Sequence, residues 1–166
     1  IARRPRHRIR RLSNRVPLSG CGPSFRRKRA VEEGVSWVQM DDRNLVAVAE
    51  QAAAPSKVLR GPIAGCTIKA EDGRVFLGCQ LEFEDPSADL DPIANGIAAG
   101  RVDGMRRVAR IGFYSPTLGQ LPQIPSATLL RLKEIAAPGL AILFSTGTGD
   151  RVEKSLDELL LESGIS

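Results

Sequence analysis

The sequence predicts an α/β protein with a central mixed sheet of about five strands. Three observations carry this expectation. Residues 62–82 read as a hairpin, two apolar-rich runs joined by Glu71-Asp72-Gly73. Helical and strand patterns then alternate to the C-terminus, in the order αββαβαβ(β)α. Apolar residues make up 42% of the chain, enough for a core, but aromatics only 4%, so Val, Ile, Leu and Ala must fill it.

Each element has a local reason. Asp41 or Asp42 can cap a helix running to about Ala54, with Leu45, Val46, Val48, Ala49 and Ala52 as its apolar stripe. Pro55-Ser56 stops it. Residues 62–69 and 74–82 form the two hairpin strands. An acidic loop, 84–91, then leads to a helix over 92–99, opened by Asp91 at the N-cap and Pro92 in the first turn. Residues 108–114 make the third strand, 126–136 a helix that Ser126 or Thr128 can cap, and 139–145 the fourth strand. Gly147-Thr148-Gly149-Asp150 turns into a short strand, and Ser155 caps a last helix. There is no internal repeat.

Charge divides the chain in two. Residues 1–30 hold ten Arg, one Lys and no acidic residue, whereas residues 31–166 hold 13 basic and 19 acidic residues. A basic N-terminal extension and linker (1–40) is therefore expected beside a mildly acidic domain (41–166). Such asymmetry points to a polyanionic partner for the arm. Arg3, Arg4, Arg6, Arg8, Arg10, Arg11 and Arg15 form one cluster, and Arg26, Arg27, Lys28 and Arg29 a second. Guanidinium groups donate paired hydrogen bonds to phosphate, so both clusters are candidate RNA-binding residues. Phe25 is the arm's one aromatic, so RNA shape and backbone rather than base stacking would be read. Arg101, Arg106, Arg107 and Arg110 could extend such a face, although cations near a helix end also answer the helix dipole.

The composition also bounds what the protein is not. No apolar run approaches the roughly 18–20 residues of a membrane span, and a soluble chain is expected. Cys21, Cys66 and Cys79 are odd in number and irregular in spacing, which is no disulfide framework and suits a reducing compartment. An Arg-rich, acid-free start at Ile1 has the composition of a mitochondrial presequence or its mature flank. Processing in an organelle and a place in the mitochondrial matrix are expected, and a chain that simply starts late has the same look.

Residues 61–82 (GPIAGCTIKAEDGRVFLGCQLE) and 141–160 (AILFSTGTGDRVEKSLDELL) resemble the first strand pair and the last strand, turn and helix of the cytidine deaminase superfamily, small nucleoside type. The resemblance covers about 120 residues. It implies a three-layer α/β/α sandwich. It also implies where chemistry would sit. Zinc deaminases place a Cys or His, an Ala and a Glu at the start of the helix after the hairpin, and Pro-Cys-x-x-Cys at the start of the next. Here Asp91, Pro92 and Ile93 stand at the first motif, and Ile124-Pro125-Ser126-Ala127-Thr128 at the second. The sole histidine is His7, and no C-x-x-C occurs. An alkyl Ile93 cannot carry a proton, and these positions offer no thiolate or imidazole for zinc. The expectation is a degenerate homologue with no catalytic residue, no metal and no cofactor.

Gln80 and Glu82 match the family's ribose-binding Asn and Glu and could keep a polar pocket. They could equally be plain polar positions on a strand near the sheet edge. Glu84, Asp85, Asp89 and Asp91 could hold a hard cation, but lack the spacing of a calcium loop, and a solvated loop ending in a helix cap is the simpler reading. Ser126 and Thr128 have no His or Lys at readable spacing that would activate a nucleophile. Gly147-Thr148-Gly149 lacks the Lys-Ser/Thr ending of a phosphate loop and suits a hairpin turn.

The expected function is structural: a component of a large ribonucleoprotein, a mitochondrial ribosomal protein whose arm binds rRNA while its domain meets neighbouring proteins. Two alternatives stand beside it. One is an accessory subunit of another organellar complex, RNA-processing or respiratory. The other is a nucleoside-sensing pseudoenzyme using Gln80 and Glu82.

Overall fold

In a computed structural model of the chain, residues 42–165 are described. Helix α1 (Asp42–Ala53) precedes the hairpin of β1 (Gly65–Ala70) and β2 (Val75–Cys79). A single 3₁₀ turn (Pro86–Ala88) leads to α2 (Pro92–Val102), then β3 (Val108–Tyr114), α3 (Ser126–Ile135), β4 (Ala136–Ser145), β5 (Arg151–Ser155) and α4 (Leu156–Glu162). The strands form one sheet in the order β2-β1-β3-β4-β5. Only the β3–β4 pair is parallel, because α3 supplies the crossover that parallel pairing requires. The mixed five-strand α/β architecture expected from the sequence is the one observed.

Small residues set how closely helices approach the sheet. On one face lies α1, where a Cβ added at Gly65 would fall 2.3 Å from the Ala49 carbonyl oxygen and one at Gly112 2.6 Å from that of Leu45. The other face carries α2, α3 and α4. Their Ile93, Ile97, Leu129, Leu132, Leu156 and Leu160 share one apolar cluster with Cys66, Ile68, Ile111, Phe113, Ile142 and Phe144 of the sheet. Each such side chain fully withdrawn from water contributes about 1.5–3 kcal/mol. Gly78 of β2 lets α2 down onto this face, since a Cβ there would meet the Pro92 carbonyl oxygen at 2.0 Å. Among the described residues no helix is long and apolar enough to cross a membrane.

Several boundaries differ from the sequence reading. Asp42 does not stand outside α1 as a cap; it is the first helical residue, and its carboxylate pairs with Arg110 at 2.6 and 2.7 Å. Asp41 lies outside the described residues. Helix α2 runs three residues past Ala99, because Gly104 at φ 86° provides the left-handed turn that ends it. Strand β4 starts directly after α3, and Gly139 at φ 78° sits in a bulge where the register to β3 shifts. Strand β2 stops at Cys79. Beyond it the Gln80 carbonyl and the Glu82 N–H turn to Lys57, and Leu81 pairs with Leu90.

Candidate functional site

The starts of α2 and α3 converge, and Asp91 joins them. Its Oδ1 accepts from the N–H groups of Ile93 (3.1 Å) and Ala94 (3.0 Å), the N-cap expected from the sequence. Its Oδ2 accepts a 2.6 Å hydrogen bond from Thr128 Oγ1, and the Arg131 guanidinium donates to the same hydroxyl at 3.1 Å. Neither Ser126 nor Thr128 caps α3. Pro125 occupies the N-cap position without a side-chain bond, and Ser126 and Thr128 are already helical residues. A cap must precede the first helical turn, so Thr128 is free to face α2 instead. The Asp91–Thr128 contact brings together residues from the two stretches, 91–93 and 124–128, that the sequence reading singles out.

Ile93, which the resemblance sets at the position of the proton-carrying Glu, is fully buried in the core. Beneath it, the Cys66 thiol donates to the Pro92 carbonyl at 3.0 Å, and burial, reinforced by the Asp91 charge, pushes its pKa up. A buried protonated thiol is a packing group rather than a nucleophile or ligand. Cys79 accepts a weak contact from Asn95 through Sγ at 3.9 Å. Among the described residues no group of three or more His, Cys, Asp or Glu is placed to hold a metal ion.

Glu82 is 6% exposed, and its Oε2 accepts from the successive N–H groups of Leu59 (2.5 Å), Arg60 (2.5 Å) and Gly61 (3.4 Å). The Leu59 and Arg60 N–H groups chiefly hold its carboxyl below the usual range. Gln80 is half-buried, and its main chain bonds Ala64 on one side and Lys57 on the other. Glu82 Oε2 therefore meets backbone.

The acidic loop is likewise occupied by the chain itself. Asp85 caps the 3₁₀ turn through the Ser87 N–H at 2.9 Å. Asp89 accepts from the Phe83 N–H, and its two oxygens share Arg60 Nη2 at 2.9 and 2.7 Å. With Asp91 on α2 and Thr128, three of the four carboxylates hold the loop's own geometry, as the simpler sequence reading has it. Gly147 and Gly149, at φ 84° and 88°, shape the β4–β5 turn. Of Arg101, Arg106, Arg107 and Arg110, Arg110 pairs with Asp42 and Glu153, whereas Arg101 of α2 bonds the Met105 carbonyl. The arm residues Arg3, Arg4, Arg6, Arg8, Arg10, Arg11, Arg15, Arg26, Arg27, Lys28 and Arg29 lie outside the described residues.

The sequence reading missed two roles. The Asp91–Thr128 link spans 37 positions and leaves no local pattern. The bonds of Glu82 to residues 59–61 also cross a stretch with no periodicity of its own.

Comparison with solved structures places the architecture. A cytidine deaminase from Burkholderia pseudomallei superposes with a TM-score of 0.67 at 21% identity, covering 72% of this chain and 96% of that one. The cytidine deaminase from Mycobacterium tuberculosis gives 0.59 at 24% identity, covering 72% of this chain and 94% of that one. That from Mycobacterium leprae gives 0.60 at 21% identity, covering 76% and 98%. No family model matches the chain, and no curated protein matches it by sequence. The chain has the cytidine deaminase fold.

Proposed function

We propose that this protein is a non-catalytic structural component of a large ribonucleoprotein, a mitochondrial ribosomal protein that uses its Arg-rich arm to bind rRNA. The observation that carries the non-catalytic half is the junction of α2 and α3. There the resemblance sets Asp91 at the first ligand position and a buried Ile93 at that of the proton carrier, and residues 124–128 offer neither thiol nor imidazole. Pro125 offers no side-chain donor, and the Asp91 carboxylate is engaged by two amides and a hydroxyl. Water activation by zinc needs three protein ligands and a group to shuttle the proton. The scaffold then serves by shape and by the surfaces it presents to neighbouring proteins.

The RNA-binding half is supported by charge: 11 cationic side chains and no acidic one within the first 30 residues. The same composition supports the mitochondrial matrix as location. The experiment is fluorescence anisotropy of the full chain with a structured RNA at low and moderate salt. With six or more phosphate contacts, affinity should fall about a thousandfold between roughly 50 and 200 mM salt. Replacing both arginine clusters by alanine should remove binding. Salt-independent binding, or none, would sink the RNA reading. A separate assay addresses catalysis: the purified chain with added zinc should leave cytidine unconverted, and any turnover above the blank rejects the non-catalytic role.

A further inference from the structure

We infer that residues 57–61 form a strap latched shut by Glu82 and Asp89, so that the carboxylate at the family's ribose position is a structural latch rather than a ligand-binding group. The strap has no regular structure of its own beyond a single bridge from Lys57 to Leu81. It is held by what residues 80–89 offer. At one end the Lys57 N–H donates to Gln80 O at 3.0 Å, the Glu82 N–H donates to Lys57 O at 2.7 Å, and the Lys57 ammonium lies 5.0 Å from the centre of the Phe83 ring. In the middle, three successive N–H groups, those of Leu59, Arg60 and Gly61, converge on one oxygen of Glu82. Such a run of amides is an anion-binding concavity, and here the anion is part of the chain. At the outer side the Arg60 guanidinium clasps Asp89 and donates to Phe83 O at 2.8 Å.

Of the two positions the resemblance sets at the ribose, Glu82 is thus engaged through its carboxylate at the centre of the strap, and Gln80 holds one end through its main chain. A hydroxyl seeking Glu82 Oε2 would have to compete with amides already seated on it, whose bonds to a charged acceptor belong to the stronger class. Gly61 fits the same account. A Cβ there would sit 3.0 Å from Glu82 Oε1, so a small residue lets the backbone close on the carboxylate.

This inference rests on Glu82, Asp89 and residues 57–61, not on the α2–α3 junction behind the non-catalytic reading, and it does not involve the arm. Its test, amide hydrogen exchange of the full chain, therefore reads the strap whether or not RNA binds. In Glu82→Gln, which keeps the shape and removes the charge, the amides of residues 59–61 should exchange about tenfold faster, the loss of roughly one charge-assisted hydrogen bond. In Arg60→Ala, whose altered side chain is exposed, the same amides should also speed up. The amides of β3 and β4 should be unchanged in both, which shows that the fold persists. Unchanged exchange at 59–61 in both variants overturns the latch. So does slower exchange there on adding millimolar cytidine to the unaltered chain, because a ligand would then be reaching the carboxylate.

Discussion

Asp91 Oδ2 and Thr128 Oγ1 lie 2.6 Å apart and tie the start of α2 to the start of α3. A hydroxyl-to-carboxylate bond thus joins two helix starts that lie 37 positions apart in the chain. Because the acceptor is charged, the bond belongs to the stronger class. Thr128→Val should lower stability by about 2 kcal/mol, and Asp91→Ala by more, since the helix cap is lost as well. A double-mutant cycle by urea unfolding should return a coupling of about 1–2 kcal/mol. Additive effects would show that the two residues do not work as a pair.

Glycine at position 65 is required by distance. An added methyl would lie 2.3 Å from Ala49 O and 2.4 Å from Ala53 N, both backbone atoms of α1 that cannot swing away. Gly65→Ala should therefore cost about 3 kcal/mol, at the upper end of ordinary overpacking. Thermal unfolding followed by circular dichroism measures it. A melting temperature within a degree of the parent would mean that α1 does not pack on β1 as described.

Thr67 is fully buried, and its hydroxyl has no hydrogen-bond partner. Leaving a polar group unpaired in the interior is unfavourable, and Val has nearly the same shape. Thr67→Val should stabilise the protein by about 1 kcal/mol, read as a higher denaturant midpoint with an unchanged slope. A loss of stability would reveal a partner for that hydroxyl.

Acid should loosen the strap. Glu82 is held below the ordinary carboxylate range by the Leu59 and Arg60 N–H groups, and Asp89 by the Phe83 N–H and then by Arg60. For a group whose folded pKa is depressed, the stabilisation is complete above its unfolded value, about 4 for a carboxylate, and disappears as pH falls through the folded value. The unfolding midpoint should therefore decline from about pH 5 downward, and Glu82→Gln should make that decline shallower. Equal slopes for the two proteins would remove Glu82 from the acid response.

Local chemistry made much of the fold legible. The turn at Glu71-Asp72-Gly73, the Asp91-Pro92 helix start and the Ser155 helix cap are all short-range signals, and each lies where the sequence places it. The absence of thiol and imidazole groups from the two helix starts is likewise a property of composition, readable before any folding. Tertiary structure alone decided who meets whom. Thr128 turned from a capping candidate into a partner of Asp91, Glu82 from a strand-borne carboxylate into an anchor for residues 59–61, and Arg110 from a member of a basic patch into the counter-ion of Asp42. Those contacts span 21 to 68 positions along the chain, and periodicity, capping and turn chemistry act only over a few residues. Long-range pairing becomes specific only once the sheet order has set each strand and helix beside its neighbours.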